Sequence, residues 1–141
     1  MKLSRAILML LAGCVSGCAL ELPPLLQDAT AAGGNGDFCD LADAPNSQGY
    51  SVSPELSQRL SAQFPVGTPE LRLTQEIERQ GFTVAPAPCP NNHAVRRAVI
   101  HVEDDRRYVE FNYDVDAEVY WTVDGERKIT WVVGGVQFTG R

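Results

Sequence analysis

The chain is poor in the side chains that carry out chemistry. Its 141 residues include two histidines, two tryptophans, two methionines and four cysteines. Neither His93 nor His101 stands near a serine or cysteine in a nucleophile pattern, so no hydrolase machinery is expected and the chain reads as non-enzymatic. Basic residues are also short, 12 Lys and Arg against 18 Asp and Glu, a net charge of −6. Such a balance removes long-range attraction to nucleic acid. No apolar run approaches the roughly 20 residues that cross a bilayer as a helix. The cysteine and histidine spacings match no zinc pattern. Gly33-Gly34-Asn35-Gly36 lacks the preceding strand and the following Lys-Ser/Thr of a phosphate loop. No cofactor, metal or small-molecule substrate is therefore expected.

What the start of the chain does contain is an export pattern. Lys2 and Arg5 precede the apolar stretch from Ala6 to Ala12, the order of a secretory leader. Two cysteines then follow small residues, in Leu11-Ala12-Gly13-Cys14 and Val15-Ser16-Gly17-Cys18. Both segments resemble the bacterial lipobox, in which cleavage precedes a lipidated cysteine. Cys14 closes the better box by residue type, but it leaves an apolar run of only about six or seven residues. Cys18 lengthens that run and leaves Cys39 and Cys89 as an even pair in an oxidising compartment. Cys18 is therefore the favoured lipidation site, with Cys14 the alternative. The resemblance implies a signal peptide over 1–17 and an acyl anchor of palmitate type, effectively permanent at about 0.8 kcal/mol per buried methylene. Ala19, rather than aspartate, follows Cys18. By resemblance to enterobacterial sorting, this implies the outer membrane, with the protein facing the periplasm.

Residues 18–50 carry Pro23-Pro24, Gly33-Gly34-Asn35-Gly36 and Ala44-Pro45-Asn46-Ser47 and no lasting apolar period, the composition of a flexible tether. Residues 51–141 are then expected to form one small periplasmic domain. Without Lys2 and Arg5, ten basic residues face eighteen acidic ones, a net of −8.

Ser53-Pro54-Glu55-Leu56 and Thr68-Pro69-Glu70-Leu71 each offer a hydroxyl N-cap, a proline at the first helical position and an acid near the positive helix end. Leu56, Leu60 and Phe64 form one apolar stripe before Pro65; Leu73 and Ile77, flanked by Leu71, form another before Gly81. Gly81 suits a left-handed C-cap, with Phe82 folding back. From Val95 the pattern turns to strands. Ala98, Ile100 and Val102 alternate with Val99, His101 and Glu103, and apolar residues hold odd positions from Val109 through Phe111 to Val123. A second strand over that run places Asp114 and Asp116 on the wet face. Ile129, Trp131 and Val133 continue the apolar face after Asp124-Gly125.

Parity sets the turns. The first hairpin joins even to odd positions and needs an even loop, placed around Asp104–Arg107. The second joins odd to odd, so a three-residue loop with Gly125 left-handed is expected, and Gly134-Gly135 should bulge the last strand. The expected fold is α+β: two helices, then a three-stranded antiparallel meander (ααβββ), with the helices over the face that holds Phe111, Trp121 and Trp131. This order, with Gly67-Thr68 opening the second helix and Gly81 closing it, resembles the BamE (SmpA/OmlA) family of outer-membrane assembly lipoproteins over about residues 66–133. The Leu-Gly-x-Pro usual after that family's helix is replaced here by Gln80-Gly81-Phe82-Thr83. The resemblance implies a shared fold more than a shared role.

Cys39 and Cys89 are expected to form a disulfide that closes a loop of about 50 residues. His101 reads as a solvated strand residue beside Glu103. Asp114, Asp116 and Glu118 lie at alternate strand positions, where they cannot wrap a calcium ion. The outer sheet face (Tyr108, Glu110, Asn112, Glu118, Tyr120, Thr122, Thr130 and Val132) mixes tyrosines with polar residues, as protein-contact surfaces do. The functional expectation is a lipid-anchored scaffold or accessory of an envelope complex, binding another envelope protein. The alternative is a periplasmic inhibitor or immunity lipoprotein against a basic cell-wall hydrolase or toxin.

Overall fold

Ser53 caps the first helix as its sequence signals: its hydroxyl accepts the Leu56 amide at 3.5 Å, and Pro54 takes the first helical position. The computed structural model describes residues 22–31, 39, 52–103 and 113–140. Within them, helix α1 spans Pro54–Gln63 and α2 spans Glu70–Arg79. Thr68 does not cap α2. Its hydroxyl donates back to the Pro65 carbonyl at 2.6 Å, and its own carbonyl accepts the Ile129 amide at 2.8 Å. The segment before α2 is thus tied to the final hairpin rather than to its helix. At the other end, Gly81 is left-handed (φ +93°) and the Phe82 amide reaches the Ile77 carbonyl at 3.0 Å. Phe82 is buried there, as the glycine cap requires.

The fold is α+β, with four strands rather than three. β1 (Thr83–Ala85), β2 (Arg96–Val102), β3 (Tyr113–Val123) and β4 (Ile129–Gly140) form an antiparallel sheet in chain order. The unexpected strand, β1, is three residues long and stops at Pro86, which suits its place on the sheet edge.

The register tests the parity reading. Ala98 faces Val119, Ile100 faces Ala117 and Val102 faces Val115, so even positions pair with odd ones across the first hairpin. Val102 stands opposite Val115, whereas a turn at Asp104–Arg107 would set it opposite Val109, so the register is not that of the expected turn. Val109 and Phe111 lie outside the described residues. In the second hairpin Val123 faces Ile129, odd to odd, across a five-residue loop. The left-handed residue in it is Arg127 (φ 59°), not Gly125.

Thr122 pairs with Trp131 while Val123 pairs with Ile129, so the ladder skips Thr130. This bulge, not one at Gly134-Gly135, changes the phase of β4. As a result Ile129 and Val136 join Trp121 under the helices, while Trp131 and Val133 pass to the opposite face. Trp131 was expected beside Trp121. One extra residue before it turns it away.

Gly134 serves a different purpose. A Cβ there would overlap Leu56 Cγ and Cδ2, so the missing side chain lets α1 lie against β4. The Gly134 amide donates to Ser57 Oγ at 3.1 Å, and its carbonyl accepts the Ser53 amide at 2.9 Å. The helix thereby satisfies backbone groups on an edge strand. Gly134→Ala should cost about 1–3 kcal/mol in urea unfolding, the usual range for overpacking. In a Leu56→Ala background, itself destabilised by the lost core side chain, the further cost of Gly134→Ala should be smaller through coupling between the two sites. An unchanged Gly134→Ala midpoint would disprove the close fit.

The helix-covered core joins Leu56, Leu60, Leu73 and Ile77 to Val119 and Trp121. Part of the expected tether belongs to it. Leu25 and Leu26 are almost fully buried, with Pro24–Leu26 in a 3-10 turn. The Leu25 amide donates to Gln80 Oε1 at 3.0 Å, and Arg59 donates to the Leu25 carbonyl at 2.9 Å. The Thr30 amide and hydroxyl both reach Glu55 Oε2, at 3.0 and 2.8 Å. The Thr30 amide bond foremost holds the Glu55 carboxyl down to about 2. Residues 22–31 are docked, not loose.

Candidate functional site

The outer sheet face is partly interior. Cys39 and Cys89 form the expected disulfide, with S–S 1.97 Å and Cα atoms 5.3 Å apart. Together with Val95, Tyr120 and Val133 they make a second buried cluster, against which Val52, Ala87 and Trp131 pack. Tyr120, expected on an open contact surface, is 3 % exposed. Cys39 and Cys89 pack with it, and its hydroxyl donates to Glu118 Oε2 at 2.8 Å. Glu118 also pairs with Arg97. Thr122 Oγ1 lies 2.7 Å from Thr130 Oγ1. Tyr108, Glu110 and Asn112 lie outside the described residues, as do Cys14 and Cys18.

Asp114 is buried rather than wet. Asp116 remains half exposed, with its Oδ1 2.6 Å from His101 Nδ1; Glu103 stands 3.7 Å from Nε2 of the same ring. The Asp116 hydrogen bond, helped by the charges of Asp116, Asp114 and Glu103, raises the His101 pKa above the ordinary 6.5 despite some desolvation. A raised folded pKa stabilises the protein fully below the unfolded value and is lost as pH rises through the folded one. Stability should therefore decline as pH climbs from about 6.5 through that raised value, and His101→Asn should flatten the decline. An identical pH slope in both proteins would remove the His101–Asp116 pair as its cause.

The most elaborate polar cluster was not anticipated as a site. Glu70, in the first turn of α2, has a side chain only 4 % exposed. Its Oε1 accepts the Trp121 indole N–H at 2.9 Å and lies 2.9 Å from Arg96 Nε. Its Oε2 accepts Arg127 Nε at 3.0 Å and a terminal Arg127 nitrogen at 2.7 Å. Burial alone would raise the Glu70 pKa. The bonds from Trp121 and Arg127 and the charges of Arg96 and Arg127 outweigh it and lower the pKa overall. The carboxylate thus meets three hydrogen bonds and the Arg96 ion pair.

Three elements bring these groups together. The hairpin turn aims Arg127, whose left-handed backbone is uncommon outside glycine, asparagine and aspartate. Its carbonyl also accepts the Glu70 amide at 2.9 Å. β2 begins with Arg96, which pairs across the sheet with Trp121. One legible signal was present: Glu70 stands three residues before Leu73 and seven before Ile77, in phase with the buried stripe of α2.

Beside this cluster opens a cavity of about 450 Å³. Arg96, Arg127 and His93 give it polar walls, while Val84, Pro86 and Ala87 give it an apolar one. The side chains of Arg96 and Arg127 are 44 % and 73 % exposed. Among the described residues no group of three or more His, Cys, Asp or Glu could hold a metal ion, and no helix is long and apolar enough to cross a membrane. The chain matches no family model, no curated protein and no solved structure.

Proposed function

We propose that this chain is a lipid-anchored protein of a bacterial envelope, held through Cys18 in the outer membrane, whose periplasmic domain binds another envelope protein as a scaffold or accessory. The observation that carries this reading is the Cys39–Cys89 disulfide. Bridges of this kind persist in oxidising compartments. This one uses both cysteines beyond the leader, so an acyl chain on Cys18 leaves no unpaired thiol in the mature chain. The lipobox-like segments and Ala19 support the anchor and its destination, and the resemblance to the BamE family supports an envelope accessory through fold more than through role.

Mass spectrometry of the mature N-terminus tests the anchor. The expected product begins at Cys18 with acyl groups attached; a lipid on Cys14, or an acyl-free chain, would overturn the assignment. Crosslinking in intact envelopes followed by detergent extraction tests the role. Recovery of a stable set of envelope proteins supports the accessory reading. The net charge of −8 after the leader favours a second reading, an inhibitor or immunity protein, and recovery of one basic secreted enzyme would select it.

A further inference from the structure

We infer that the cavity beside Glu70 is a carboxylate-binding site, taking a monoanionic carboxylate on a small aliphatic body. Two guanidiniums and one buried carboxylate leave one positive charge at its edge, in a chain whose overall charge is negative. Glu70 accepts three hydrogen bonds through its two oxygens and pairs with Arg96, so it holds the arginines in place without spending all their donors. Arg127 uses Nε and one terminal nitrogen; the other terminal nitrogen has no hydrogen-bond partner among the described residues, nor do the terminal nitrogens of Arg96. A planar guanidinium with unspent N–H groups beside a cavity is the usual partner of a carboxylate.

The surplus of one charge suits a monoanion better than a phosphate dianion. The Val84, Pro86 and Ala87 wall suits an aliphatic body, and Val84 is 45 % exposed there. The inference does not depend on the lipid anchor or on the accessory role.

The test is an NMR titration of the ¹⁵N-labelled full chain in detergent, following the two indole N–H signals. Trp121 touches Glu70 at the site, and Trp131 lies on the opposite sheet face as an internal control. The probes are N-acetyl-alanyl-alanine, its C-terminal amide, sodium acetate and inorganic phosphate. The dipeptide acid should shift the Trp121 signal and saturate at about 1–10 mM, while the amide should not. If acetate binds as well as the dipeptide acid, the ligand is a free small carboxylate; if tenfold weaker, a peptide C-terminus. Arg127→Gln should weaken the acid at least tenfold. Arg127→Lys, which keeps the charge but loses the planar fork, should weaken it less. The inference is overturned by equal binding of acid and amide, by tighter binding of phosphate, by no Trp121 shift with the acid, or by Arg127→Gln binding as wild type. The acid–amide contrast needs no variant, so it decides even if Arg127→Gln fails to fold.

Discussion

Glu70→Ala should lower the unfolding free energy by about 3–5 kcal/mol, the usual cost of removing one partner from a buried ionic cluster. Truncation leaves the Trp121 indole N–H without its acceptor in the core, because the ring is 1 % exposed. It also leaves Arg96 and Arg127 adjacent with no charge between them. Changing either arginine to glutamine should cost less, about 1 kcal/mol, since both reach solvent and the other still pairs with Glu70. The pH dependence follows from the lowered Glu70 pKa. In the acid range the unfolded chain takes up a proton on this group before the folded chain does. The contribution is present above the ordinary carboxylate value and disappears as pH falls through the lowered one. Urea unfolding at neutral and acid pH should show the wild type losing its advantage over Glu70→Ala on acidification. A loss under about 1 kcal/mol at neutral pH would mean that the cluster contributes little beyond surface pairing.

Glu70 also shows why some of the molecule was legible in the sequence and some was not. The stripes Leu56–Leu60 and Leu73–Ile77 and the odd residues Val115 to Trp121 occupy the core because helical and strand periods are local properties. Gly81 and Ser53 are equally local, and both cap as their types suggest. Thr68 had the same local credentials, but tertiary bonds to the final hairpin took its carbonyl and turned its hydroxyl aside. The Thr130 bulge was hidden for a similar reason. Parity required a change of phase somewhere on β4, and Gly134-Gly135 carried the visible bulge residues. Gly134 is instead needed where α1 crosses the sheet, a demand that no single segment reveals. β1 was too short to show a period, and Leu25-Leu26 sat among prolines that read as linker. The candidate site was least visible, since Glu70, Arg96 and Arg127 meet only through the register of a sheet and the docking of a helix.

Reduction of the Cys39–Cys89 bridge should cost about 4 kcal/mol, because releasing a loop of this length returns that much entropy to the unfolded chain in the loop-closure account. The sequence separation of 50 sets the size of the effect. For a small domain it is a large part of the total, since whole-protein stabilities lie at about 5–15 kcal/mol. The structural consequence should be local first. Both sulfurs lie in the cluster with Val95, Tyr120 and Val133, separate from the core that holds Trp121. A Cys39→Ser, Cys89→Ser double variant should therefore expose Tyr120 and the half-covered Trp131 before Trp121. With Trp131→Phe as the control, the red shift of indole emission should come from Trp131 alone at low urea, and Trp121 should follow only at global unfolding. Coincident exposure of both rings would mean that the two clusters unfold as one unit. A reduced protein as stable as the oxidised one would mean that hydrophobic packing, not the cross-link, holds Cys39 in its cluster.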